Sequence, residues 1–179
     1  MHNHQRKSPK RLVCSIWFVA VAFAHTAHAQ QASAGLEISD ADFVCLSDMT
    51  RVRHFFVDNH LDDLEGTVAV ANSAAGGVYP PGSIVQLVPS EVMVKHHPGW
   101  NAATRDWEFF ELDVSKGTTS IDKRGFVDVV NRFGGNCFGC HVRARPEWDL
   151  ICEQGHGCEP IPITREQIAE IQKADPRCG

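Results

Sequence analysis

The chain lacks any apolar run long enough to cross a membrane as a helix. Its longest, residues 12–24, has thirteen residues, against the roughly 20 that a span requires. A basic surplus is missing too: 17 Lys+Arg stand against 22 Asp+Glu, and four of those cations fall in the first eleven residues. Without a cationic excess there is nothing to neutralise phosphates or to hold the chain on anionic lipid, which argues against nucleic-acid and membrane partners. No internal repeat and no low-complexity tract occurs. Only three methionines are present, and none follows Met93.

What is present begins with an export pattern. Arg6, Lys7, Lys10 and Arg11 precede the apolar run, and "HTAHAQ" follows it with small residues at Ala27 and Ala29. This is a secretory signal peptide over residues 1–29, with cleavage after Ala29. Cys14 leaves with it. The remainder, residues 30–179, suffices for one domain with a core. It carries thirteen Lys+Arg and all 22 Asp+Glu, a net charge of −9. The expected location is the periplasm.

Six cysteines remain in an oxidising compartment: Cys45, Cys137, Cys140, Cys152, Cys158 and Cys178. Each therefore needs an assignment. If Cys137 and Cys140 are held otherwise, the other four form two disulfides in one of three pairings. The short spacing favours Cys152 with Cys158, leaving Cys45 to join Cys178 and tie the start of the domain to its tail.

The patterning predicts an α+β domain, mainly antiparallel β. Residues 40–61, "DADFVCLSDMTRVRHFFVDNHL", mix periods and read as a short helix or two. "TVAVA", residues 67–71, reads as a strand, and "NSAAGGVYPPG" after it as turn material. "SIVQLVPSEVMVKHH", residues 83–97, reads as two strands broken at Pro89, with Val92 and Val94 on one face and Met93 and Lys95 on the other. Residues 106–125 form a hairpin with "SKGTT" as its turn and Phe110, Leu112 and Val114 inward. The clearest helix is the last. Thr164 caps it, Gln167 completes a capping box, Ile168 and Ile171 form its apolar stripe, and Pro176 ends it.

The chemistry concentrates in "GGNCFGCHVRARP", residues 134–146. Cys137, Cys140 and His141 form the C-x-x-C-H pattern of c-type haem attachment. Two thiols add across the haem vinyl groups as thioethers, and the adjacent histidine is placed to ligate the iron axially. A zinc site from Cys137, Cys140, Cys152 and Cys158 would have an irregular second pair, and a thioredoxin-like dithiol would need a βαβ setting. Either leaves His141 without a role. Only 38 residues follow His141 and none is methionine, unlike small all-helical cytochromes, which place the motif early and take a methionine from downstream. The residues 67–125 also lack the helical period of a four-helix cytochrome c′.

From "YPPGSIVQL" at Tyr79, through "DWEFFELD" at Asp106, to "CFGCH" at Cys137, the chain resembles the cytochrome P-460 family and its relative cytochrome c′-beta. The resemblance implies a mostly antiparallel sheet carrying one covalently attached haem c, held through Cys137 and Cys140, with His141 as proximal iron ligand. It further implies binding of nitric oxide or a similar small ligand or, as the alternative, oxidation of hydroxylamine by a haem cross-linked to a lysine. A homodimer is an implication of the same kind.

Lys95 is the best placed of the four lysines after the signal for such a cross-link, although a lysine at a strand end is commonly a solvated edge residue. Arg143 and Arg145 lie near the motif and could pair with haem propionates; two solvated loop arginines are the plain alternative. For the second iron position the candidates are His54, His60, Met93, His96, His97 and His156. Equally, a wall built from Phe55, Phe56, Phe109 or Phe110 would leave that position open. The expected function is therefore electron transfer with a redox partner protein, or small-ligand binding.

Overall fold

Burial on both faces, rather than on one, organises the strands of this chain. The computed structural model describes Met1 and residues 33–179; the expected signal peptide falls outside the described residues. Among the described residues six strands are present, β1 Thr50–Val52, β2 Phe55–Asn59, β3 Ser83–Val88, β4 Glu91–Lys95, β5 Trp107–Asp113 and β6 Ser120–Gly125. They form one sheet in chain order, each antiparallel to its neighbour. Three short helices accompany it: α1 Leu64–Asn72, α2 Cys137–His141 and α3 Arg165–Lys173. The architecture is α+β, mainly antiparallel. Among the described residues no helix is long and apolar enough to cross a membrane.

Register makes the two faces explicit. Val57, Val85, Met93 and Phe109 are cross-strand partners in one row, and Phe56, Gln86, Val92 and Phe110 in the next. Because side chains alternate along a strand, these rows point to opposite sides. The second row joins Ile84, Val94 and Leu112, and packs on Ile38, Phe43, Leu46 and Met49 from the segment preceding β1. The first packs on Ala71 of α1, Tyr79, Val129, Cys137, Leu150 and Ile151. Two covered faces explain why β3, β4 and β5 read as nearly continuous apolar runs. β6 at the edge is mostly exposed.

Two expectations are corrected. Residues 67–71 are not a strand but the middle of α1. Asp63 Oδ1 caps the helix by accepting from Gly66 N at 3.0 Å, and Asn59 Oδ1 accepts from Leu61 N and Asp63 N. Thr67 and Ala71, four apart, are its buried residues, which is helical spacing. Residues 40–61 begin with two short helices, both 3-10, Asp40–Asp42 and Leu46–Asp48, but the rest of the segment is the β1–β2 hairpin rather than helix. That hairpin turns through Arg53 in the left-handed region (φ 53°).

Other expected elements are present. Pro89 falls between β3 and β4, β5 and β6 pair as the hairpin, and α3 carries the Thr164–Gln167 capping box. The disulfides are Cys45–Cys178 and Cys152–Cys158. The first ties the back-face segment to the tail, where Asp175 accepts from Leu46 N at 3.0 Å and from Arg177 at 2.7 Å.

Candidate functional site

The motif occupies a single turn of helix that a side chain fastens to the loop before it. Asn136 Oδ1 accepts from Gly139 N at 2.7 Å, capping α2, while its Nδ2 donates to Val127 O at 2.8 Å. Cys137 N donates to Val129 O at 3.1 Å. Cys137 is buried, Cys140 is partly exposed, and both are free thiols. Because Cys152 and Cys158 are bonded to each other, the four-cysteine zinc set is broken. Burial pushes the Cys137 thiol up to about 12, opposite to the activation that a redox dithiol requires.

His141 follows on the same turn, and its Nδ1 lies 2.7 Å from Leu150 O. A carbonyl can only accept, so Nδ1 carries the proton and the Nε2 lone pair is left for a metal. Burial lowers the His141 pKa, favouring the neutral imidazole that ligation uses. The ring stands edge-on to Phe109, with centroids 5.3 Å apart.

The carbonyl that orients His141 is itself held by a buried network. Asp149 and Leu150 both sit in the left-handed region, at φ 47° and 67°, a strained conformation that persists only where the surroundings enforce it. The Asp149 carboxylate accepts from Lys95 Nζ at 2.8 Å and from Tyr79 N at 2.9 Å, and Trp107 Nε1 donates to Asp149 O at 2.8 Å. Lys95 Nζ also donates to Arg105 O at 2.6 Å and lies 5.1 Å from the Trp107 ring centroid. Lys95 shares the sheet face of Met93, but its amine is committed to Asp149 and it is not among the cavity-lining residues.

A cavity of about 450 Å³ opens beside α2, within the range of about 300–1,000 Å³ typical of cofactor sites. Val85, Leu87, Met93, Phe55 and Phe109 of the sheet line one side, and Cys137, Cys140 and His141 stand in the same lining. The loop from Ile151 to Ile163, with the Cys152–Cys158 disulfide, and Ile168 of α3 enclose it further. Arg132, Phe133 and Arg165 complete the lining with exposed side chains. The apolar floor, two unpaired thiols and a histidine with a free Nε2 fit a haem attached through thioethers.

The structure sorts the other expected residues. Arg143 and Arg145 are exposed, near Glu159 at 3.8 Å and Glu147 at 2.8 Å respectively, and neither lines the cavity. Two guanidiniums do line it, Arg132 and Arg165, which sequence reasoning passed over because they lie nine residues before His141 and 24 after it. His60 pairs with Asp42 at 2.7 Å. His96 accepts from Leu36 N and is paired with Glu108 at 2.8 Å; His97 is exposed. His156 stacks on Trp148 at 3.7 Å. His54 and Met93 line the cavity, as do Phe55, Phe109 and Phe110, whereas Phe56 packs in the opposite core, to which Phe110 also belongs.

No family model, no curated protein and no solved structure matches the chain.

Proposed function

We propose that the protein is an exported, periplasmic monohaem c-type cytochrome that transfers electrons or binds a small ligand such as nitric oxide. The observation that carries the reading is the convergence of Cys137, Cys140 and His141 on one wall of a large apolar cavity, with His141 Nδ1 already committed to Leu150 O. Haem iron supplies one-electron chemistry and a coordination site for small ligands. The chain does the rest. The Cys137 and Cys140 thiols would hold the group as thioethers, and His141 would offer Nε2 to its iron. Leu150 O fixes the imidazole tautomer and raises its basicity. Val85, Leu87, Met93, Phe55 and Phe109 exclude water, and Arg132 and Arg165 match the carboxylates of propionates.

Hydroxylamine oxidation, the alternative implied by resemblance to cytochrome P-460, depends on a lysine reaching the haem edge. Lys95 is bound to Asp149 and Arg105 instead, so that reading is not retained. Replacing Cys140 by Ala removes one thioether and weakens covalent retention of haem. A denaturing gel stained for haem tests this: a weaker band is expected, and staining equal to the parent would overturn the attachment scheme.

A further inference from the structure

We propose that His54 is the second axial ligand of the iron, so that the site is six-coordinate and low-spin and the protein is an electron carrier. The inference rests on the haem reading of the cavity and extends it to the side opposite His141.

Among the described residues, two of the six candidates for this position line the cavity, His54 and Met93. Strand order separates them. The His141 ring packs against Phe109 of β5, and Met93 is the direct cross-strand partner of Phe109, one strand spacing of about 4.8 Å away. Met93 therefore lies beneath the side His141 occupies. His54 immediately precedes β2, which β3 and β4 separate from β5; three spacings amount to about 14 Å. His54 thus lines the cavity three strands away from the strand on which the His141 ring packs.

The polar surroundings of His54 point the same way. Its Nδ1 is buried without a hydrogen-bond partner and stands 3.5 Å from Glu153 Oε1. Glu153 is in turn fixed by Arg53, whose Nε donates to Oε1 at 3.0 Å. Metal-bound histidines characteristically offer Nδ1–H to a carboxylate or carbonyl. Here His141 offers it to Leu150 O and His54 faces Glu153, an arrangement that leaves the Nε2 lone pair of each ring free to bind a metal. Binding iron through Nε2 places the His54 proton on Nδ1, where Glu153 accepts it, and removes the anomaly of a buried nitrogen with nothing to bond. The backbone is already pinned: Gln172 Nε2 of α3 donates to His54 O and to Leu87 O, both at 2.7 Å. A ligand held this way needs little rearrangement to bind.

The test is spectroscopy of the purified holoprotein. The parent should show a low-spin ferric electron paramagnetic resonance signal and take up no carbon monoxide when reduced. His54→Ala should become high-spin, bind carbon monoxide, and return to low-spin when imidazole is added. Should the alanine variant fail to fold, His54→Met keeps a ligand of similar reach and should replace the bis-imidazole signal by that of an imidazole–thioether pair. A parent that is high-spin or binds carbon monoxide, or a His54 variant with the parent's signal, overturns the proposal while leaving the haem reading intact. A parent with no haem overturns both.

Discussion

On one side of the sheet Phe56, Ile84, Val92, Val94, Phe110 and Leu112 pack directly on the segment before β1. On the other, their alternating neighbours Val85, Met93 and Phe109 line a cavity of about 450 Å³, which Val92 and Phe110 also border. The same strands thus serve two ends, and the period of two is what separates them. A face that leaves a cavity forgoes the dispersion contacts its lining atoms would make. Stability has to come from the closed face and from whatever holds the cavity wall rigid. On the closed face this is the core and the Cys45–Cys178 disulfide. On the cavity face it is the buried Lys95–Asp149 pair with the Tyr79 and Trp107 bonds, which also sets the carbonyl facing His141.

That contrast can be broken most forcefully at the disulfide. Its partners are 133 residues apart, and closing so long a loop restricts the unfolded chain by roughly 5 kcal/mol. Urea unfolding of Cys45→Ser/Cys178→Ser should show a loss of that order, while haem staining matches the parent. On the cavity face, Lys95→Met leaves the Asp149 carboxylate buried without its cation, at about 4 kcal/mol. Unlike the disulfide variant, it should also move the haem reduction potential, because Leu150 O loses its support; adding Asp149→Leu should recover part of the stability but not the potential.

Neighbours on β5 sharpen the comparison further. Phe110 is fully buried in the closed core, and Phe110→Ala should cost about 3 kcal/mol by opening a new cavity. Phe109→Ala enlarges a space that already exists, so it should cost less in the apoprotein yet perturb the haem absorption spectrum more. The smallest effect is expected at Asp175. Burial would raise its pKa, but bonds from Arg177 and Leu46 N and the Arg177 charge outweigh it and hold the carboxyl below its ordinary value. A depressed carboxyl contributes fully above its unfolded pKa of about 3.9 and loses that contribution as pH falls through the folded value. Asp175→Asn should therefore lower stability at neutral pH by about 2 kcal/mol and leave the acid limb flatter below pH ~4, as read by unfolding midpoints across pH.

Much of this was legible where one local signal acted alone. Pro89 between two apolar runs, the alternation through "DWEFFELD" and the Thr164–Gln167 box each specify an element without outside help. "TVAVA" was not legible, because so short a run, four of its five residues apolar, fits either period; what decided it was Asp63 capping from outside the run and Thr67 with Ala71 facing the sheet. The hairpin through Arg53 and His54 was hidden likewise, since β1 has only three residues and gains its place by pairing with β2. In the site, adjacency singled out Cys137, Cys140 and His141, which the fold sets in one cavity lining; Arg143 and Arg145, close to them in sequence, do not line it, while Arg132 and Arg165 do. Lys95 was placed correctly on the face of Met93, and only its tertiary partner Asp149, 54 residues on, reveals what its charge is for.

Covalent haem on Cys137 and Cys140 is tested most directly by intact mass spectrometry of the exported protein under denaturing conditions. The expected mass is the polypeptide with two disulfides plus one haem, with the coloured group surviving acid and organic solvent. Colourless protein at the bare polypeptide mass, or zinc retained on those two sulfurs, would contradict it.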